Sequence, residues 1–113
     1  MAIAKHFESH RGIAEVIYPG QTNHPQHDLA SKQMKGFGGI ISVNIKGGLE
    51  QSKSFLEITE IFALAESLGG VESLIEHPAL MTHASLPKDR REQIGISDGP
   101  IRDPNLFSTI FGQ

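Results

Sequence analysis

The chain has 113 residues, 38% of them hydrophobic and 20% charged, which fits one globular domain and lies away from the compositions that stay unfolded. A formal net charge of -3, with ten scattered Lys and Arg, offers no basic patch for nucleic-acid phosphates. With no cysteine, disulfide frameworks and thiolate metal sites are excluded, and a reducing compartment is compatible. The first twenty residues carry Lys5, Glu8, Arg11 and Glu15 where a signal peptide would be apolar. No run approaches the ~20 apolar residues a bilayer requires, so a cytoplasmic protein is expected.

In chain order, Ile3 and Phe7 stand four apart with Lys5 and Glu8 between them, predicting a short amphipathic helix over residues 2–10 that Gly12 ends. Residues 13–18 follow as a strand, stopped by Pro19-Gly20. His24-Pro25 opens a second helix, with Pro25 able to take its first position and Leu29 and Met34 as buried contacts. After Gly36, Gly38 and Gly39, the run 40–45 is rich in β-branched residues and places Ile41, Val43 and Ile45 on one face. It is predicted as a strand. Gly47-Gly48 breaks the chain before a helix over 49–58, with Leu49, Lys53 and Leu56 near helical spacing and Glu50, Gln51 and Glu57 outward. An apolar run at 61–65, the pair Glu66-Ser67, a Gly69-Gly70 break and a second run at 71–75 read as strand, functional turn, strand. A helix built on KDRREQI after Pro87 reaches Gly95. Strands alternating with helices predict an α/β or α+β fold: a two-layer sandwich with helices on one face of a mainly antiparallel sheet.

The residues alone suggest chemistry at several places. Ser67 follows an apolar strand and precedes Leu68-Gly69-Gly70, so its hydroxyl and the exposed N–H groups of the turn form a suitable carboxylate receptor, although a serine in this position also serves as a plain turn cap. Arg102 is planar and always charged, and can clamp a carboxylate with two parallel hydrogen bonds; a surface arginine in a frayed tail is the competing reading. Of the six histidines, His6 and His10 lack a third ligand nearby, and His24 and His27 flank a proline turn, so no metal site is expected. His83 reads as a structural histidine. KGFGG at 35–39 leads into a strand, which argues against a dinucleotide loop.

Three segments in order, FALAESLGGVESL at 62–74, PALMTHAS at 78–85 and GISD at 95–98, closely resemble the cystathionine gamma-lyase and gamma-synthase family of pyridoxal-phosphate enzymes. The resemblance extends back through VIYPG at 16–20 and HPQHDLASKQMKGFGGIISV at 24–43, and covers the chain to Arg102. It is a resemblance to the smaller C-terminal domain alone, and it implies that domain's fold over residues 1–102 with a divergent tail at 103–113. By position it implies that Ser67 and Arg102 hold the α-carboxylate of a sulfur amino acid such as cystathionine, that Glu66 lies near the substrate's distal amino-acid group, and that Thr82 makes a backbone-level contact beside the site. It also implies a homotetramer that uses pyridoxal phosphate as electron sink. The cofactor's lysine, phosphate cup and acidic partner belong to the family's large domain. None of Lys5, Lys32, Lys35, Lys46, Lys53 and Lys88 stands in such a context, so the chain is expected to be a C-terminal fragment inactive by itself. A folded, non-catalytic interaction module is the alternative. At its end the chain departs from the family: Pro104, which cannot donate into a sheet ladder, follows Arg102 where a strand should continue.

Overall fold

The computed structural model describes residues 2–66 and 71–96 in full and residues 107–111 as backbone. The elements are α1 (Ala2–Glu8), β1 (Ile13–Ile17), α2 (His27–Gln33), β2 (Ile40–Ile45), α3 (Leu49–Glu57), β3 (Ala63–Leu64), β4 (Leu74–Glu76), α4 (Lys88–Gln93) and β5 (Phe107–Phe111). The strands form one sheet in the order β1-β2-β5-β4-β3. Every neighbouring pair is antiparallel except β3 with β4, which is parallel. The fold is therefore α/β with a mainly antiparallel sheet.

β2 forms as its composition predicts. Ile41, Val43 and Ile45 are 5%, 0% and 6% exposed on one face, while Ile40 on the other is 47% exposed. Their neighbour β1 presents Ile13 and Val16, three residues apart, to a strand whose facing residues Ile45 and Val43 are two apart. A register shift between Ile13 and Glu15 reconciles the spacings, because one extra residue, Ala14, opposes nothing and turns Ile13 back to the core face. The resulting core unites Ala4, Ile13, Tyr18, Ile41, Val43 and Ile45 with Phe7, Val16, Phe37 and Phe55 packed against them. A smaller cluster of Leu56 and Ile75 shares Phe7 and Phe55 with it, so those two rings bridge the two halves of the sheet.

The helices differ from the sequence pattern in ways that short length explains. α1 ends at Glu8, where Ser9 folds back and donates both its N–H and its hydroxyl to the His6 carbonyl. α2 starts at His27 and has only seven residues. It buries Ala30, while Leu29 and Met34, expected inside, are 49% and 46% exposed. A helix of two turns needs only one small inward residue to approach the sheet, and its larger apolar side chains are left at the margin. Met34 there joins Ile17, Phe37 and Ile40 around an apolar cavity of about 430 Å³. In α3 the inward residues are Ser52 and Leu56, four apart. Lys53 instead pairs with Glu50 at 3.0 Å. Gly47 and Gly48 both have positive φ, 100° and 86°, a backbone that favours glycine, and the Ser52 hydroxyl closes this turn by donating to the Gly48 carbonyl.

β3 and β4 are shorter than the runs that predict them: Ile61 and Val71 are 86% and 89% exposed. Only residues 65–73 connect these parallel strands, and so short a crossover restricts their ladder to two residue pairs. The largest difference is at the end of the chain. Residues 107–111, set outside the domain as a tail by the sequence reading, form β5 between β2 and β4. Pro104 lies outside the described residues.

Val43→Asp places an unpaired charge in the most enclosed position of β2, and should lower stability by about 3 kcal/mol or more. An unchanged thermal midpoint would show that β2 is peripheral. A chain ending at Arg102 lacks β5 and should lose its single cooperative transition on heating; retention of that transition at the same midpoint would contradict the strand order.

Candidate functional site

The parallel pairing of β3 and β4 brings their C-terminal ends together. Ala65 N–H donates to the Ile75 carbonyl at 3.2 Å, so the chain leaves β3 alongside the end of β4. Glu66 therefore emerges beside Glu76, the last residue of β4, with Glu66 exposed and Glu76 buried. The next turn of the motif, Ser67 to Gly70, lies outside the described residues, and so does Arg102. Of the four candidate residues, Glu66 and Thr82 are placed.

Thr82 belongs to the segment 77–86, which starts where β4 ends. His77, Pro78 and Ala79 at its base are buried. Leu80 and Met81 donate backbone N–H groups to the His77 carbonyl at 3.1 and 2.9 Å, and His83 donates to the Pro78 carbonyl at 2.8 Å. This winding brings Thr82 back over the end of β4. Its hydroxyl donates to Glu76 Oε1 at 3.2 Å and lies 2.9 Å from His83 Nδ1. A hydroxyl has a single proton, so once it is donated to Glu76 the remaining donor of Thr82 is its backbone N–H.

Sequence reasoning missed Glu76, because a glutamate ending an apolar run reads as a solvated charge. In the structure it is 4% exposed, and Oε2 has no hydrogen-bond partner among the described residues. Its carboxyl titrates above the ordinary value of 4.5, mainly because burial penalises the charge. Repulsion from Glu66 acts in the same direction, while the Thr82 hydrogen bond and His83 oppose it.

Elsewhere, the histidines serve local structure. His10 Nδ1 accepts from Gly12 N–H and His24 Nδ1 from Gln26 N–H, both at 3.1 Å, while His27 bonds the Pro19 carbonyl and stacks on Phe37. Among the described residues no group of three or more His, Cys, Asp or Glu could hold a metal ion, and no helix is long and apolar enough to cross a membrane. The glycines of KGFGG lead into β2, and the Tyr18 hydroxyl donates to the Gly38 carbonyl. A second polar cleft, about 320 Å³, lies between α1 and β1, where Gln21 donates to Glu8 and Asn44 to Glu15.

These residues do not fit a covalent pyridoxal-phosphate site. Lys5, Lys32, Lys35, Lys46 and Lys88 are exposed and Lys53 is half-buried against Glu50. Neither cavity is lined by a lysine.

Comparison with known proteins agrees with the motifs. The family model for Cys/Met metabolism PLP-dependent enzymes matches residues 1–103. A cystathionine beta-lyase of Coxiella burnetii is 56% identical over 102 residues, 90% of this chain and 26% of its own length. A cystathionine gamma-lyase of Dictyostelium discoideum is 55% identical over 101 residues, 89% of this chain and 26% of its own. The crystal structure of a Xanthomonas oryzae cystathionine gamma synthase in complex with cystathionine superimposes with a TM-score of 0.86 at 42% identity, covering 97% of this chain and 27% of that one. The chain thus spans about a quarter of the length of these relatives. With nine-tenths of its residues aligned at this identity and the same fold, the chain belongs to the Cys/Met metabolism family of pyridoxal-phosphate-dependent enzymes.

Proposed function

We propose that this chain is the substrate-carboxylate side of a cystathionine-cleaving enzyme, nearest in kind to a cystathionine gamma-lyase that breaks the C–S bond to give cysteine. A gamma-synthase or methionine gamma-lyase is the alternative within the family. The observation that supports this reading is the junction of β3 and β4, which sets Glu66 beside Glu76 and brings Thr82 of the THAS segment over the end of β4. The domain in this reading is a two-layer sandwich with its helices on one face, and its sheet includes β5 beyond the family-like residues 1–102. Ser67 and Arg102 take the α-carboxylate, Thr82 adds its backbone N–H, and Glu66, exposed at the end of β3, reads the distal end of the substrate. The lysine, phosphate cup and acidic partner come from residues that the relatives have beyond this quarter of their length. The assembled enzyme is cytoplasmic and homotetrameric and binds no nucleic acid.

A second reading, a folded non-catalytic module, is favoured by the surface positions of the lysines. The two readings separate in a reconstitution. Alone, the chain should release no hydrogen sulfide or ammonia from cysteine or cystathionine beyond the rate of free cofactor. Co-expressed with the N-terminal three quarters of a relative such as the Coxiella protein, it should gain lyase activity. In that assembly Ser67→Ala and Arg102→Lys should each raise KM about tenfold or more, the loss of one good carboxylate contact, with a smaller change in kcat. Activity of the chain alone, or unchanged KM in both variants, would contradict the proposal.

A further inference from the structure

The proposed function has no use for Glu76, yet the fold buries this acid beside the candidate site. The Thr82 hydroxyl lies between it and an imidazole, 3.2 Å from Glu76 Oε1 and 2.9 Å from His83 Nδ1. One hydroxyl proton permits two arrangements. With Glu76 ionised, the hydroxyl donates to the carboxylate and accepts from a protonated Nδ1. With Glu76 protonated, the acid donates to the hydroxyl, whose own proton turns to a bare Nδ1. The arrangements balance in atoms and differ by the proton gained at Glu76 and the tautomer adopted at His83.

We propose that Glu76 is a positioning residue: through the Thr82 hydroxyl it latches the segment 77–86 to the end of β4, and a proton gained or lost at Glu76 reverses the direction of the latch. Among the described residues, the charged and titratable groups that face it are Glu66 from the end of β3 and His83 from the segment itself, with His77 next in the chain. The backbone bonds of the segment fix its base, and the Thr82 contact is a side-chain tie from its apex to the end of β4. For ligands the consequence rests on the function proposed above. An anionic substrate group bound beside Glu66 would face the Glu76 charge when Glu76 is ionised and not when it is protonated, so substrate affinity would follow the state of the latch.

The latch can be tested without ligand, so its failure is distinguishable from failure of the functional reading. Carboxyl-carbon NMR of the chain labelled at glutamate reads the titration of Glu76 directly. The Thr82 hydrogen bond favours the ionised form, so Thr82→Val should raise the Glu76 midpoint by about half a pH unit or more, and Thr82→Ser should leave it as in the parent. If Thr82→Val does not fold, the smaller Thr82→Ala is read in the same way. Thermal unfolding supplies a second measurement. A carboxyl whose folded value lies above 4.5 favours the folded state below 4.5 and loses that contribution as pH rises through the folded value. Glu76→Gln cannot ionise, so its thermal midpoint should exceed the parent's by a gap that widens as pH rises from 4.5 and closes in acid. A Glu76 midpoint indifferent to Thr82→Val, a shift in Thr82→Ser equal to that in Thr82→Val, or a Glu76→Gln gap independent of pH would each overturn the proposal.

Discussion

Everything in this fold depends on β2 being paired along both edges. A strand hydrogen-bonded to β1 on one side and β5 on the other has no freedom of register, since a one-residue slip would exchange Ile41, Val43 and Ile45 for Ile40, Ser42 and Asn44 on the core face. The core, the bulge in β1 and the packing of Phe7 and Phe55 all follow from that fixed register. Within the sheet β4 joins this frame through β5, because β2 and β4 are not neighbours. The junction that carries the candidate site is thus tied to the core by one ladder of backbone bonds and by two shared phenyl rings.

That arrangement explains why polar groups can be buried at the end of β4. Enclosing a carboxyl costs stability unless it is hydrogen-bonded or neutral, and Glu76 has both escapes, a hydroxyl from Thr82 and a raised affinity for its proton. The chain dedicates a wound segment with a buried base to delivering that hydroxyl. The lysines lie elsewhere, at the surface, where they support solvated contacts such as Lys53 with Glu50 and Lys88 with Glu92. In the proposed function, substrate-carboxylate chemistry and cofactor chemistry are thereby divided between this chain and the remaining length of its relatives.

Much of this was legible in the residues where one physical signal acted alone. β2 was readable because β-branched residues alternate with a strict period of two, and the Gly47-Gly48 break because only glycine suits those positive φ values. The bulge in β1 was not, since its apolar spacing of three has meaning only against the partner strand. Leu29 and Met34 misled because helical periodicity identifies an apolar stripe but not whether seven residues bring it into contact with a sheet. FSTIF has the β-branched and aromatic content of a strand but falls in the segment set aside as a divergent tail, and only the gap between β2 and β4 shows why it pairs. At the candidate site, the motifs singled out Glu66 and Thr82, whereas Glu76 required the parallel pairing of β3 and β4 before its burial could be known. Ser67 and Arg102 lie outside the described residues, and their roles rest on the motif.

The separation of substrate side from cofactor side is the central claim, and reductive trapping tests it most directly. The chain is incubated with one equivalent of pyridoxal phosphate, its visible spectrum recorded, borohydride added, and the modified lysine located by peptide mass mapping. The account predicts no stable visible band and a low yield of adduct spread over the exposed lysines. A stoichiometric adduct on a single lysine, with a persistent band that a sulfur amino acid perturbs, would contradict it.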